Sequence, residues 1–83
     1  MYEVFFKNPA KRFLKKLKKD VQKKIILKIE RLKENPRIGK PLTGSLKGLW
    51  RLRVDHYRII YQIKDYELIV YILDMGERVN IYK

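Results

Sequence analysis

The sequence predicts an α+β fold in which two antiparallel helices pack on one face of a mostly antiparallel sheet of four or five strands. Three observations lead to this prediction. Apolar residues recur at helical spacing through residues 8–35, glycine and proline interrupt residues 36–48, and hydrophobic and polar residues alternate from residue 49 onward. The predicted order of elements is therefore β-α-α-β-β-β, with a short last strand or an extended tail at the carboxyl end.

The amino-terminal half predicts one strand and two helices. Residues 2–6 are rich in aromatic and β-branched types and predict the strand. Asn8-Pro9 is typical of an N-cap followed by the first helical position, so the first helix is predicted to run from here to about Lys19. Asp20 is the predicted cap of the second helix, which Asn35-Pro36 ends. The apolar stripes of the two helices are Ala10, Phe13, Leu14 and Leu17, and then Val21, Ile25, Ile29 and Leu32, widened by Ile26.

The carboxyl-terminal half predicts an antiparallel meander that follows a loop over residues 36–48. Turns are expected at Asp55-His56 and around residues 64–66. Gly76 permits a sharp exit from the third strand, and residues 78–82 form either a short last strand or an extended tail. The three predicted strands are residues 49–54, 57–63 and 67–74.

Strand alternation assigns the meander residues to two faces if Asp55-His56 is a two-residue turn. The face toward the helices would carry Trp50, Leu52, Val54, Tyr57, Ile59, Tyr61 and Ile63. The opposite face, here called the outer face, would carry Arg51, Arg53 and Arg58 at one end and Ile60, Ile69, Tyr71 and Leu73 further along.

The three arginines of the outer face are the most informative residues of the chain. The predicted turn sets Arg53 beside Arg58, and like charges opposite each other destabilise a sheet. A phosphate above Arg51, Arg53 and Arg58 would convert that repulsion into binding, and the planar fork of arginine suits phosphate well. The pattern predicts a site for a polyanion, with RNA as the leading candidate.

The composition of the 83-residue chain agrees with this prediction. Its length predicts one domain over residues 1–83. Its formal net charge of +12 indicates an acidic partner, either nucleic acid or a negatively charged protein, while a hydrophobic fraction of 46% argues against disorder. The helix lysines are commonly only a solvated face, but their surplus also favours contacts with RNA phosphates. The candidate RNA-binding lysines are Lys11, Lys15, Lys18, Lys19 and Lys47.

Several function classes are disfavoured by what the sequence lacks. With no cysteine and one histidine, we expect no structural metal, and nothing in the chain indicates a cofactor. The amino terminus is too short and too polar for a signal peptide, and no apolar run approaches the roughly 20 residues of a membrane span. A cytoplasmic location, without a membrane partner, is the resulting expectation.

Sequence motifs along essentially the whole chain resemble the RelE/ParE superfamily of toxins from toxin–antitoxin systems. The resemblance rests on Pro36-Arg37-Ile38-Gly39, on residues 42–48, on the Tyr-Arg-Ile-Ile-Tyr strand at residues 57–61, and on Gly76-Glu77-Arg78 followed by Tyr82. The RelE branch consists of ribosome-dependent mRNA endonucleases, and the ParE branch poisons DNA gyrase. RelE-type toxins use a basic cluster and a tyrosine near the carboxyl end, which the ParE branch generally does not preserve as a whole.

The resemblance implies a catalytic set in this chain, consisting of Arg51, Arg53, Arg58, Arg78 and Tyr82. The two positions before the hairpin are often lysines in the family but are both arginines here. Because a guanidinium binds phosphate well but is a poor proton acceptor, a role of Arg51 or Arg53 as general base is in doubt.

Metal-free RNA cleavage, in which the 2′-hydroxyl attacks the adjacent phosphorus, would give these residues separate tasks. Arg58 and Arg78 suit stabilisation of the extra negative charge on the phosphate, and Arg51 and Arg53 suit binding of the flanking phosphates. Tyr82 would stack on a base, or donate or accept a proton.

The general base is not evident, with Glu77, Tyr82 and His56 as candidates. Each also has a purely structural interpretation. Tyr82 could cover the sheet edge, Arg78 could be an ordinary surface residue, and His56 is more simply a solvated turn residue. Trp50 alternates with apolar residues, so core packing is favoured over base stacking.

The leading hypothesis is a toxin that cleaves mRNA on the ribosome, contacts rRNA, and is neutralised by an acidic, RelB-like antitoxin. One rival is a gyrase-targeting toxin of the same fold, which would not depend on Arg78 and Tyr82. Another is a non-catalytic module that binds RNA or DNA.

Overall fold

The predicted α+β architecture is confirmed, with two helices packed on one face of a five-stranded sheet. The computed structural model describes residues 1–77. The helices are α1 (Asn8–Lys15) and α2 (Lys19–Glu30), and the strands are β1 (Glu3–Phe6), β2 (Lys40–Pro41), β3 (Trp50–Val54), β4 (Tyr57–Lys64) and β5 (Ile69–Glu77). The order across the sheet is β1-β5-β4-β3-β2, and only the β1–β5 pairing is parallel within this part of the chain.

The core lies between the helices and the inner face of the sheet, as the alternation predicted. Leu52, Val54, Ile59 and Tyr61 are buried, and Trp50, Tyr57 and Ile63 pack against them at the margin. The helices contribute Ala10, Ile25 and Ile29, with Leu32 from the turn that follows α2. Ile26, predicted to widen the stripe, is 42% exposed. The β3–β4 register is therefore fixed by burial of one complete face.

Neither predicted N-cap occupies the cap position. Lys7 has the extended conformation and Asn8 is already helical, because the backbone N–H of Lys7 still pairs with the sheet, donating to the Ile72 carbonyl at 2.8 Å. Lys18 likewise precedes α2, and Asp20 lies in its first turn. A carboxylate there interacts favourably with the helix dipole, which explains its position without a capping bond.

Helix α1 ends at Lys15, earlier than the predicted end near Lys19. The Gln22 side-chain amide donates to the carbonyls of Leu14 and Leu17, at 2.9 and 3.0 Å. The Leu14 carbonyl also accepts from the backbone N–H of Leu17 at 3.2 Å, so the helix ends in a 3₁₀-type turn. A side chain from α2 thus caps the end of α1, which the hydrophobic pattern of α1 alone could not reveal.

The loop predicted over residues 36–48 contains a regular element. Helix α2 gives way to a 3₁₀ turn at Arg31–Lys33, and a second 3₁₀ turn at Pro36–Ile38 begins where the Asn35 side chain accepts a hydrogen bond from the backbone N–H of Arg37 (3.1 Å). The chain then forms the two-residue strand β2, which pairs with Trp50 and Arg51. Proline is tolerated in β2 because it is an edge strand.

Strand β5 begins later and continues further than predicted. A 3₁₀ turn at Asp65–Glu67 precedes it, and Gly76 lies inside the strand opposite Arg58 rather than at an exit. A bulge accounts for the altered register: Ile60 pairs with Asp74 and Tyr61 with Ile72, so Leu73 is the extra residue.

No helix within residues 1–77 is long and apolar enough to cross a membrane.

Candidate nucleic-acid interface

The β3–β4 hairpin places two arginines directly opposite each other. Arg53 pairs with Arg58, and Arg51 pairs with Ile60, across a two-residue turn in which Asp55 takes the left-handed conformation (φ 55°). Arg53 is exposed, and Arg51 and Arg58 are partly buried. The predicted juxtaposition of Arg53 and Arg58 is therefore confirmed, while the catalytic roles of these residues stay predictions.

No carboxylate within residues 1–77 forms an ion pair with the three arginines. The ion pairs in this region join Lys24 to Asp55, Lys33 to Glu30 and Arg37 to Asp65. The Nε atom of Arg51 is buried and has no hydrogen-bond partner within the described residues. A buried donor without a partner carries a desolvation cost, so Arg51 contributes less to stability than a fully hydrogen-bonded arginine would.

Neutralising one member of the opposed pair is expected to stabilise the protein. Arg53→Gln removes the like-charge repulsion with Arg58 and keeps much of the side-chain stem, so the unfolding free energy should rise by about 0.2–1 kcal/mol at low salt. Because exposed charges are screened, the gain should shrink as salt is added. Urea unfolding at two salt concentrations measures this, and a less stable Arg53→Gln protein would show that Arg53 makes a stabilising contact.

A pocket of about 280 Å³ adjoins the arginines at the β3 edge of the sheet. Its lining residues are Lys28, Arg31, Ile38, Gly39, Lys40, Arg51, Leu52 and Arg53. Sequence reasoning missed Lys28, Arg31 and Lys40 as members of a common site. The three-residue spacing of Lys28 and Arg31 puts both on one side of the helix, which was the available signal, but their approach to β3 depends on tertiary packing.

One wall of the pocket is held by a buried tyrosine. The Tyr61 hydroxyl donates to the Pro36 carbonyl (2.7 Å) and accepts from the backbone N–H of Gly39 (3.1 Å). Burial raises the pKa of Tyr61, so the hydroxyl keeps the proton it donates. A Cβ atom on Gly39 would lie 2.4 Å from the carbonyl oxygen of Arg51 and 2.5 Å from the Tyr61 hydroxyl. Only glycine fits this close approach of the loop to β3.

A second anchor fixes the start of the same loop. Arg37 donates to Asp65 at 2.7 Å, and Tyr2 donates to the other oxygen of that carboxylate, also at 2.7 Å. The hydrogen bond from Arg37 lowers the pKa of Asp65 most, and the hydrogen bond from Tyr2 lowers it further. Residues 36–39, which lead into the pocket wall, are thus held by Tyr61 of β4 and by Asp65 of the turn that follows β4.

The candidate RNA-binding lysines form a separate surface. Lys11 and Lys15 lie on α1, Lys18 and Lys19 lie at the start of α2, and Lys47 follows the 3₁₀ turn at residues 44–46. All five are exposed and have no ion-pair partner within residues 1–77. The helices cover the inner face of the sheet, so the structure does not gather the helix lysines with the outer-face arginines.

The remaining candidate residues lie near the turn or beyond the described residues. His56 sits in the hairpin turn with its ring 4.4 Å from that of Tyr57, and Glu77 ends β5 opposite Tyr57. Because side chains alternate along a strand, Glu77 shares the inner face with Tyr57 and does not lie on the outer face with Arg58. Arg78 and Tyr82 fall outside residues 1–77, and their roles stay predictions.

The apolar end of the outer face is less exposed than the sequence suggested. Ile60, Ile69, Tyr71 and Leu73 are each partly buried. Phe5 of β1, at 47% exposure, lies against Tyr71 with ring centroids 6.2 Å apart. This end of the outer face is thus a partly exposed apolar surface to which β1 contributes Phe5.

Comparison of the sequence with protein families and with known proteins identifies the family of this chain. The family model described as "ParE toxin of type II toxin-antitoxin system, parDE" matches residues 4–82. Toxin RelG from Mycobacterium tuberculosis is 34% identical, over 99% of this chain and 97% of its own length. The chain belongs to the RelE/ParE family of type II toxins. The resemblance noted in the sequence is therefore confirmed.

Solved structures of RelE/ParE toxins share the fold. The toxin in the RelBE2 toxin–antitoxin complex from M. tuberculosis superposes with a TM-score of 0.84 at 34% identity, covering 93% of this chain and 91% of the other. The toxin in the archaeal RelE–RelB complex from Pyrococcus horikoshii gives a TM-score of 0.76 at 25% identity, with coverage of 93% and 94%. Both of those toxins were solved as complexes with an antitoxin.

Proposed function

We propose that this RelE/ParE toxin is a ribosome-dependent mRNA endonuclease that blocks translation. The observation that supports the proposal is the opposed Arg53–Arg58 pair, with Arg51 beside it and no carboxylate partner within residues 1–77. A sheet gains nothing from such an arrangement by itself, whereas an RNA phosphate above the pair would bind to both guanidinium groups.

The chemistry proposed is attack of the 2′-hydroxyl on the adjacent phosphorus, which breaks the bond to the 5′-oxygen of the next nucleotide. Arg58, with Arg78, stabilises the negative charge that develops on the phosphate, while Arg51 and Arg53 hold the flanking phosphates. Tyr82 aligns the scissile bond or transfers a proton. The register places Glu77 on the same face as Tyr57, opposite the face that carries Arg58, which disfavours Glu77 as the general base.

Three partners follow from this proposal. The candidate lysines Lys11, Lys15, Lys18, Lys19 and Lys47 contact ribosomal RNA, and the outer-face arginines contact mRNA. The third partner is an acidic, RelB-like antitoxin, which the +12 charge of the chain favours and which agrees with the complexes solved for its relatives. These partners imply that the toxin acts in the cytoplasm. The length of the chain favours one domain over residues 1–83.

Induced expression in growing bacteria is expected to arrest translation and to produce mRNA cut within translated codons. Purified RNA without ribosomes should be cut little, because residues 1–77 present no complete acid/base set and we expect ribosomal groups to assist. Mapping of mRNA 5′ ends after induction measures this. Intact mRNA with altered DNA supercoiling would favour a gyrase-targeting toxin, in line with the ParE description of the matching family model.

A further inference from the structure

The pocket beside the arginines lies where β3 loses its partner. Strand β2 pairs only with Trp50 and Arg51, so Leu52 and Arg53 border an open edge of the sheet within residues 1–77. Lys28 from the last turn of α2 and Arg31 from the 3₁₀ turn that follows line the other side of this opening. The pocket thus joins the outer face to the carboxyl end of α2.

The lining of the pocket is strongly basic. Its five cationic residues have no acidic neighbour in the lining and no ion-pair partner within residues 1–77. They are Lys28, Arg31, Lys40, Arg51 and Arg53. A bound anion would therefore relieve the repulsion among these cations.

The pocket also has an apolar portion. The whole pocket is larger than a phosphate group alone requires. Leu52 lines the pocket but is only 3% exposed, so Ile38, at 38% exposure, supplies most of the apolar surface against which a sugar or a base can lie. A volume of about 280 Å³ is near the lower end of small-molecule sites. Cationic groups around an apolar floor are the combination that suits a nucleotide.

We propose that this pocket binds one nucleotide of the substrate RNA, next to the phosphate held over the Arg53–Arg58 pair. Lys28, Arg31 and Arg51 bind its phosphate, and its sugar and base lie against Leu52 and Ile38. The inference rests on the proposed function, since it takes RNA as the substrate. Arg51 and Arg53 belong both to the pocket and to the outer face, so an RNA chain that crosses the outer face would continue into the pocket. That continuity favours RNA over an acidic side chain of a protein partner.

A double substitution away from the proposed catalytic set tests the pocket. Lys28→Gln with Arg31→Gln removes two pocket cations, and Lys16→Gln with Lys23→Gln removes two exposed helix lysines outside the pocket as a control of equal charge. The probe is a short RNA with 2′-O-methyl groups, which cannot be cleaved by 2′-hydroxyl attack. We expect the pocket variant to bind this RNA at least about tenfold more weakly than the control.

Two further readouts separate a local contact from a general charge effect. The logarithm of the RNA-binding constant falls with the logarithm of the salt concentration, and phosphate contacts set the steepness of that slope. The slope should become shallower in the pocket variant, by about one unit more than in the control. Ile38→Trp, which fills the apolar part without changing charge, should also weaken RNA binding. Thermal melting of each variant establishes that it is folded, and Ile38→Trp supplies an independent test if the double variant is not.

The outcomes distinguish this inference from the proposed function. Equal RNA binding by the pocket variant and its control would overturn the inference, even if the wild-type protein cuts mRNA on ribosomes. Weaker antitoxin binding with unchanged RNA binding would overturn it in favour of a protein ligand. Selective loss of RNA binding by the pocket variant would support the pocket even if wild-type protein cuts no mRNA, in which case only the proposed nuclease activity fails.

Discussion

Replacing Arg58 with glutamine is expected to slow ribosome-dependent mRNA cleavage by about 10²–10³-fold, because one charge-assisted contact to the developing phosphate charge is lost. Cleavage of mRNA in a purified translation complex measures the rate. Arg12→Gln is the matched control, since Arg12 is an exposed arginine on α1 away from the outer face. The control should retain the wild-type rate.

The stability of the Arg58→Gln protein makes the result interpretable. Arg58 faces Arg53, so the substitution removes a repulsion and should leave the unfolding free energy unchanged or slightly higher. A low cleavage rate in a protein of full stability therefore reports on chemistry rather than on folding. Wild-type activity in Arg58→Gln, and likewise in Arg78→Ala and Tyr82→Phe, would remove the basis for the proposed site.

Replacing Gly39 with alanine is expected to lower the unfolding free energy by about 1–3 kcal/mol or more. The added Cβ would lie 2.4 Å from the Arg51 carbonyl oxygen and 2.5 Å from the Tyr61 hydroxyl. Neither neighbour can withdraw easily, because one is backbone in β3 and the other is a buried side chain held by two hydrogen bonds. Urea unfolding measures the loss.

Gly76→Ala is the matched control for this prediction. A Cβ at Gly76 meets no atom within 4 Å, and neither Gly39 nor Gly76 has a positive φ, so the two substitutions differ in steric space rather than in backbone conformation. The control should change the unfolding free energy by less than about 0.5 kcal/mol. Equal effects of the two substitutions would show that the loop at Gly39 can shift, and that Tyr61 does not fix the pocket wall.

The inner face of the sheet was predictable because burial repeats along the strand with a period of two. Leu52, Val54, Ile59 and Tyr61 follow that period through a two-residue turn, and a slip by one residue would have exposed all of them. The same register placed Arg53 opposite Arg58. The part of the candidate site that lies on β3 and β4 therefore follows from local sequence pattern alone.

The rest of the site depends on contacts that no local pattern encodes. Gln22 of the next helix caps the end of α1, and the short β2 follows a turn that the hydrogen bonds of Tyr61 and Arg37 hold in place. The bulge at Leu73 inserts one residue without a turn signal. The grouping of Lys28 with the arginines needs the packing of α2 on β3, so the basic pocket appears only in three dimensions.

Cleavage of a defined mRNA bound to purified ribosomes, with and without the toxin, is the decisive measurement of ribosome-dependent nuclease activity. We expect cuts within the mRNA only when ribosomes and wild-type toxin are both present, and much slower cutting with Arg58→Gln. Intact mRNA in that reaction, together with inhibition of DNA gyrase by the same protein preparation, would contradict it.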